Sequence, residues 1–577
     1  MPFKIPQTFI VLLAISLLFS CKNHAPKETR LIPKDAISVV SIDAYSLKEK
    51  LEKEGVSIES ILNKIFKANH EDSVNKKFVT ELQQNAGINW KEKIHFFGTQ
   101  KKGNDNSTIN SFNLLGSVQD ASKLEQFLQS NELIKSKLIK KEKEFSYIET
   151  MDNSVLAWDK SYFIWMNYNH QIKPYYDTTA MKYVVPEKIN TNKEIVAALT
   201  QLFTQKEDAS IVSLKGFGEL YKNKAEGYFF SSTNYLLGSL TGMPLQLPKL
   251  EELAKDNYTA ATLSFDAGKI VAHSTTYTNP FLGNILKKYA GPTVNVSLID
   301  HFPSQNINAI MLAAFNPEIF GGILKQLEVE GLVNEFVKKS GISTQDLYAS
   351  LKGDIAVVVA DLSKISNEPQ DSDDEVSLIK KKPIGKLIIN IPVGNVNSFN
   401  KLMDKAVETG TMVKSGKEYK GSGLMRFFGL FIVANNQKLI ISSDSLTYTQ
   451  YIQQTSKASI NKEARDYFKG KSTVLYIDVA NTMKGLISTD TAGLFYGSLN
   501  SIKNTVKDII GSSENFEDGK IRSTFEMRMQ NQQQNSLVTL VNLFTKVAVD
   551  IREQNKKEKE LEEKMTPTNL PGVIRVD

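Results

Sequence analysis

Five segments in the first half of this chain recur in the same order in the second half, at offsets between about 250 and 276 residues. Self-similarity at a long fixed spacing restricts the fold to one unit built more than once. Residues 31–43, which run into Val39, Val40 and Ile42, are answered by His301-Phe302-Pro303 and then Ala309-Ile310-Met311-Leu312. Ala86-Gly87-Ile88 ahead of residues 94–98 is answered by Ser340-Gly341-Ile342 ahead of residues 354–359. In the helical stretches 118–128 and 393–403 the apolar positions coincide: Val118, Ala121, Leu124, Phe127 and Leu128 stand against Val393, Val396, Phe399, Leu402 and Met403. A hairpin pattern over 156–164 matches 432–440, and 265–270 matches 517–521 across turn-forming residues. The pattern predicts two divergent tandem copies of an antiparallel-sheet-plus-helices domain, residues 31–295 and 296–550.

Within each copy a strand leads into a capped helix. Residues 38–43 lead to Ser46 with Glu49 three positions on, a capping-box spacing, and residues 473–478 lead to Asn481. Residues 309–315 lead to Asn316-Pro317-Glu318, with Pro at a first helical position, and residues 210–214 lead into Gly216-Phe217-Gly218. Strands outnumber helices and short turns join most of them, so the expected class is α+β, with helices on one face of largely antiparallel sheets. Residues 366–382, acidic and then basic, read as a solvated loop. Asp371, Asp373 and Glu375 there lack the central Gly and distal Glu of an EF-hand loop. Residues 551–577 read as the charged end of a helix and a tail.

Of 577 residues only Cys21 is a cysteine, which excludes an intrachain disulfide and any Cys-based zinc or iron–sulfur site. Cys21 follows a basic Lys4 and an apolar run from Phe9 to Phe19, the pattern of an export signal over residues 1–20. That run is too short to cross a bilayer, which takes about 20 residues. Leu18-Phe19-Ser20-Cys21 resembles a bacterial lipobox. The resemblance implies cleavage before Cys21, a diacylglyceryl group on its sulfur and a polar tether over residues 21–30. The competing reading is an ordinary secretory signal with an incidental cysteine. No later run of 18 apolar residues follows, so the expected membrane attachment is the N-terminal lipid alone. Lys22 stands where inner-membrane retention signals carry an aspartate, and no acidic run follows the cysteine. The resemblance thus implies the outer membrane, at its periplasmic face rather than the cell surface.

Motifs that carry chemistry are thin. There is no Gly-x-Ser-x-Gly elbow, and Ser398-Phe399-Asn400-Lys401 fits Ser-x-x-Lys only as part of an amphipathic helix. Gly470-Lys471-Ser472-Thr473 looks like the end of a phosphate loop, but it precedes a strand and Arg465 stands where the first glycine belongs. His24, His70, His95, His170, His273 and His301 are scattered without metal-ligand spacing. Asp43 and Asp478 each precede a helix start, where capping accounts for a carboxylate. No catalytic residue, metal, cofactor or nucleotide is therefore expected, and a net charge of +6 on this length points to no nucleic-acid partner.

The best binding candidate is aromatic: Trp158, Tyr162, Trp165, Tyr168, Tyr175 and Tyr176, with Phe163 among them, crowd into nineteen residues. Flat aromatic faces with a polar rim suit sugars or extended peptides, and the competing reading is that these rings pack the sheet. Ile32-Pro33-Lys34-Asp35-Ala36 followed by Val39-Val40-Ser41-Ile42-Asp43, together with Gly341-Ile342 and Leu351-Lys352-Gly353-Asp354-Ile355-Ala356, resembles an uncharacterised Bacteroidota lipoprotein family known only as a domain of unknown function. That family brings no catalytic residues. The expectation is a membrane-anchored envelope lipoprotein with a non-enzymatic binding or structural role toward an envelope protein or glycan. The alternative is a glycan- or peptide-processing accessory protein or enzyme with its site between the two copies.

Overall fold

The computed structural model describes residues 25–565 except 66–69, 103–106, 132–136, 152, 172–173, 178–180, 185–190, 234–248, 301, 366–382, 424, 426–428, 455–459, 461 and 488–495. Cys21, the signal stretch, the 366–382 loop and the tail beyond 565 lie outside the described residues, as does the side chain of Tyr175. The fold is α+β, and all its strand pairs are antiparallel among those described. The chain forms two compact units, one of residues 1–46, 77–232 and 258–262, the other of residues 47–76, 233–257 and 263–577. The described residues of 47–76, 233–257 and 263–295 thus pack with the second unit, although they precede residue 296 in the chain.

In the first unit β1 (Ser38–Ile42) pairs with β10 (Gly227–Ser232) on one side and β2 (Ile94–Lys102) on the other. Beyond β2 follow β3 (Thr108–Ser117), β7 (Tyr162–Gln171), β6 (Ser154–Trp158), β5 (Ser146–Met151) and β4 (Lys140–Lys141). A separate hairpin joins β8 (Tyr175–Asp177) to β9 (Lys182–Val184). The helix Ala121–Ser130, capped by Asp120, lays Leu124, Phe127 and Leu128 against Trp158 and Phe163.

The second unit centres on β13 (Ile307–Ala314), which pairs with β20 (Thr473–Asp478) and β14 (Asp354–Ile365). Beyond β14 follow β15 (Pro383–Pro392), β19 (Lys438–Ser442), β18 (Phe431–Ala434), β17 (Glu418–Gly421) and β16 (Met412–Ser415). Strand for strand this is the order found in the first unit, with β13 in the place of β1 and β20 in that of β10. The β6–β7 and β18–β19 turns use the same device. Asp159 Oδ1 accepts from the amides of Ser161 and Tyr162, and Asn435 Oδ1 from those of Gln437 and Lys438. One correspondence moves: the bridges Ile88–Val118 and Leu351–Val393 place Ile88 where Leu351 stands, not Ile342. On the far side of β20 lie β21 (Val506–Ser513), β22 (Lys520–Met529) and β12 (Lys269–Tyr277), which follows β11 (Tyr258–Asp266) in the chain. The full nine-residue length of β12 pairs with β22, which accounts for this stretch packing with the second unit.

Local expectations shift in two places. Ser46 and Asn481 are not the helix caps: their amides donate to Asp43 Oδ1 at 2.9 Å and Asp478 Oδ1 at 2.8 Å, so the aspartates cap the helices Ala44–Lys53 and Val479–Ile487. Residues 210–214 form no strand. Ile211–Ser213 is a 3₁₀ turn leading into the helix Lys215–Leu220.

Candidate functional site

In β3 the polar residues face inward. Ser111 and Asn113 are buried while Phe112 is about half exposed, an inversion of the usual alternation. Register sets Asn113 opposite both Phe97 and Met166, and Ser111 opposite Thr99 and Tyr168, so all six share one face of the sheet. The helix Asn192–Thr204 packs across β6 and β7 and buries Ile195 and Leu199. Between helix and sheet lies a cavity of about 260 Å³. Asp35, Lys101 and Gln201 stand exposed at its mouth, and Phe97, Asn113 and Met166 form a buried floor.

The polar groups of the floor are linked. Asn113 Nδ2 donates to the Phe97 carbonyl at 3.0 Å and to Ser111 Oγ at 2.8 Å, and Ser111 Oγ meets Thr99 Oγ1 at 2.7 Å. The Phe97 carbonyl can only accept, so it fixes which end of the amide is nitrogen. Asn113 Oδ1, fully buried, accepts no hydrogen bond from the protein. Burial, with the Glu194 charge adding to it, pushes the Tyr168 phenol up to about 12, so it stays protonated at neutral pH.

On the same face runs a buried polar row. Ser41 Oγ lies 2.7 Å from His95 Nδ1, His95 Nε2 lies 3.0 Å from Glu28 Oε1, and Ser41 Oγ also meets the Tyr221 hydroxyl at 2.7 Å. With Glu28 as carboxylate, His95 Nε2–H donates to it, Ser41 donates to Nδ1, and Tyr221, kept a phenol by burial, donates to Ser41. The set superficially has the membership of a nucleophile, base and acid. Ser41, His95 and Glu28 are each at most 2% exposed, however, and Ser41 sits within a strand rather than on an elbow. As placed, its members satisfy one another's buried hydrogen-bonding groups. Glu28 comes from the 3₁₀ turn Lys27–Leu31, so residues read as tether from the sequence are packed onto the sheet, with Thr29 and Leu31 buried beside it.

The aromatic cluster does not form one patch. Trp158 is buried in the core beside Phe163, its Nε1 donating to Glu125 at 3.3 Å. Tyr162 is half-buried with the Arg30 guanidinium 5.8 Å from its ring. Trp165 faces away from the cavity, edge-on to Phe112, which also packs against Phe96. Of the five whose side chains are described, Tyr168 alone lines the cavity. Tyr176 is exposed on β8, 5.2 Å from Tyr183. Sequence reasoning missed Asn113 and Ser111, although two polar residues alternating with Phe112 and Leu114 were the available signal.

The second unit holds a wider, open cleft of about 880 Å³ near Asp478, Lys484, Lys503, Lys507 and Asp508. Burial pushes the Asp478 carboxyl up, and its Oδ1 is already committed as a helix cap. Asp508 is committed to Arg528 through two hydrogen bonds of 2.6 and 2.7 Å. Ser398 and Lys401, the Ser-x-x-Lys pair, both donate to Asp346 Oδ1 at 3.1 Å. Among the described residues no group of three or more His, Cys, Asp or Glu side chains is arranged to hold a metal, and no helix is long and apolar enough to cross a membrane.

The profile of a domain of unknown function, DUF4836, matches residues 28–537. The chain belongs to the DUF4836 family. The DUF4836 match opens at Glu28, the residue that closes the buried row on His95. No curated protein matches the chain. Crystal forms I and IV of TP0453 are similar at 8% and 9% identity, covering 44% and 46% of this chain and 80% and 86% of theirs, with TM-scores of 0.21 and 0.23. Superposition at that level carries no argument for a DUF4836 chain.

Proposed function

We propose that this DUF4836 protein is an envelope lipoprotein, anchored through Cys21 at the periplasmic face of the outer membrane, that binds a small ligand in the cavity of its first unit. The observation that carries this reading is the cavity itself, graded from an exposed charged mouth to a buried floor of neutral hydrogen-bonding groups on apolar surface. The sealed Ser41–His95–Glu28 row supports binding over catalysis, because its hydrogen-bonding capacity is spent on itself. The anchor adds a spatial consequence. Lys27, where the packed body begins, is six residue steps from Cys21, and at 3.3–3.6 Å each they reach about 20 Å. The first unit is thereby held close to the bilayer.

Two measurements test the reading. Cys21→Ser should move the folded protein from the membrane to the soluble fraction, and retention in the membrane would refute the anchor. A small-molecule extract of the envelope should raise the melting temperature of the purified full chain but not of Ala198→Trp, which fills the cavity from the helix side. Equal responses, or none from either, would refute the binding site.

A further inference from the structure

We infer that the first-unit cavity takes an uncharged, monosaccharide-sized molecule that donates an O–H or N–H hydrogen bond to Asn113 Oδ1; this rests on the binding site proposed above and names its ligand class.

Size sets the first limit. At about 30 Å³ per water in the liquid, 260 Å³ corresponds to roughly nine waters, room for a single sugar ring, and anything longer would have to extend out through the exposed mouth. Charge sets the second. The floor offers the Asn113 amide, the Ser111 and Thr99 hydroxyls and a Tyr168 phenol, and no ionised group. A charged ligand seated there would lose its hydration with nothing to neutralise it. Asp35 and Lys101, of opposite sign, stand only at the exposed mouth.

Polarity sets the third. Asn113 Nδ2 is fully engaged by the Phe97 carbonyl and Ser111, so the amide cannot turn over to relieve its oxygen. Oδ1 is a buried acceptor that meets no donor from the protein, while Ser111 and Thr99 are hydrogen-bonded to each other. Phe97, Met166 and Leu202 supply apolar surface for the C–H face of a ring, while Tyr168 and Gln201 supply polar edges. A molecule with hydroxyls or an acetamido group on a compact carbon frame meets all three limits.

The test uses the detergent-solubilised full chain, with N-acetylglucosamine and glucose as probes and glucose 6-phosphate as the charged comparator, read by saturation-transfer NMR and calorimetric titration. The expected result is binding of a neutral sugar, weaker or absent binding of the phosphate, and a loss of about ten-fold or more in affinity for Asn113→Leu, which removes the acceptor at similar volume. Thr99→Val, a gentler change on the same face, should weaken binding less, and it serves as the folded control if Asn113→Leu misfolds. The inference is overturned if Asn113→Leu binds as the wild type does. It is also overturned if neither neutral sugar binds while the envelope extract still stabilises the wild type and not Ala198→Trp. In that last case the cavity remains a binding site and only the ligand class is wrong.

Discussion

Glu28 Oε1 stands 3.0 Å from His95 Nε2 with both side chains removed from solvent, so a residue of the turn Lys27–Leu31 completes the hydrogen bonding of a histidine in the second strand. Glu28→Ala should cost about 1–3 kcal/mol, because it leaves a buried ring nitrogen unsatisfied. Glu28→Gln keeps the acceptor oxygen and should recover more than half of that loss. Denaturant titration of the two variants checks both, and equal losses would show that charge, not hydrogen bonding, dominates the pair.

Asp508 and Arg528 face each other across β21 and β22 as a buried two-pronged pair, and Arg528 also reaches the exposed Glu463 at 3.0 Å. Asp508→Ala should destabilise the second unit by about 3–5 kcal/mol, because a buried guanidinium is left without its partner. Glu463→Ala should cost under about 1 kcal/mol, since that partner is bathed in water. Replacing both members of the buried pair by Leu and Met should cost clearly less than Asp508→Ala alone. Unfolding of the three variants under one set of conditions ranks them.

Asp346 sits at the third position of the helix Thr344–Ser350 in a capping box with Ser343, and the Ser343 hydroxyl, then Lys401, hold its carboxyl down to about 2. A carboxyl held below its ordinary 3.8 stabilises the fold at pH values above that figure and stops doing so as pH falls toward 2. Asp346→Asn should therefore exchange the amides of this helix faster than the wild type at pH 6, and the gap should narrow between pH 4 and pH 2. A gap that is constant over that range would remove the carboxylate from the explanation. (Intrinsic exchange rates, which change with pH, cancel in the ratio of the two proteins.)

Gly353 and Gly341 both have positive φ, +91° and +78°, but only Gly353 is crowded: a Cβ there would fall within contact distance of the Phe315 carbonyl oxygen, whereas Gly341 faces open space. Gly341→Ala should cost about 1 kcal/mol from backbone strain. Gly353→Ala should cost at least twice as much, since the strand start must also move. Comparison of their melting temperatures tests the difference.

Much of this architecture was readable in the residues. The shared cap geometry of Asp43 and Asp478 and the matched Asx turns at Asp159 and Asn435 are local chemistry, and local chemistry leaves local marks. The division into units was not readable, because it turns on the pairing of β12 with β22, partners some 250 residues apart whose side-chain patterns do not name one another. The dispersal of the aromatic cluster over both faces of the sheet has a simpler reason. Odd and even positions of β7 face opposite ways, so Trp165 and Tyr168 could not share a surface. The inward amide of Asn113 was visible as an inverted alternation, but an inversion says only that something polar is buried, not what it faces.

The turn that carries Glu28 also bears on how the molecule is made. Thr29 and Ile32 offer their carbonyls to the Ser210 hydroxyl, and Ile32 accepts from the amide of Ile211, partners that lie about 180 positions later. The Thr29 and Ile32 carbonyls, on emerging from a ribosome or translocon, therefore have no Ser210 or Ile211 to close upon until more than a third of the polypeptide has been made. During that interval the inward faces of β1 and β2 are uncovered, and a holding chaperone would have its natural target there.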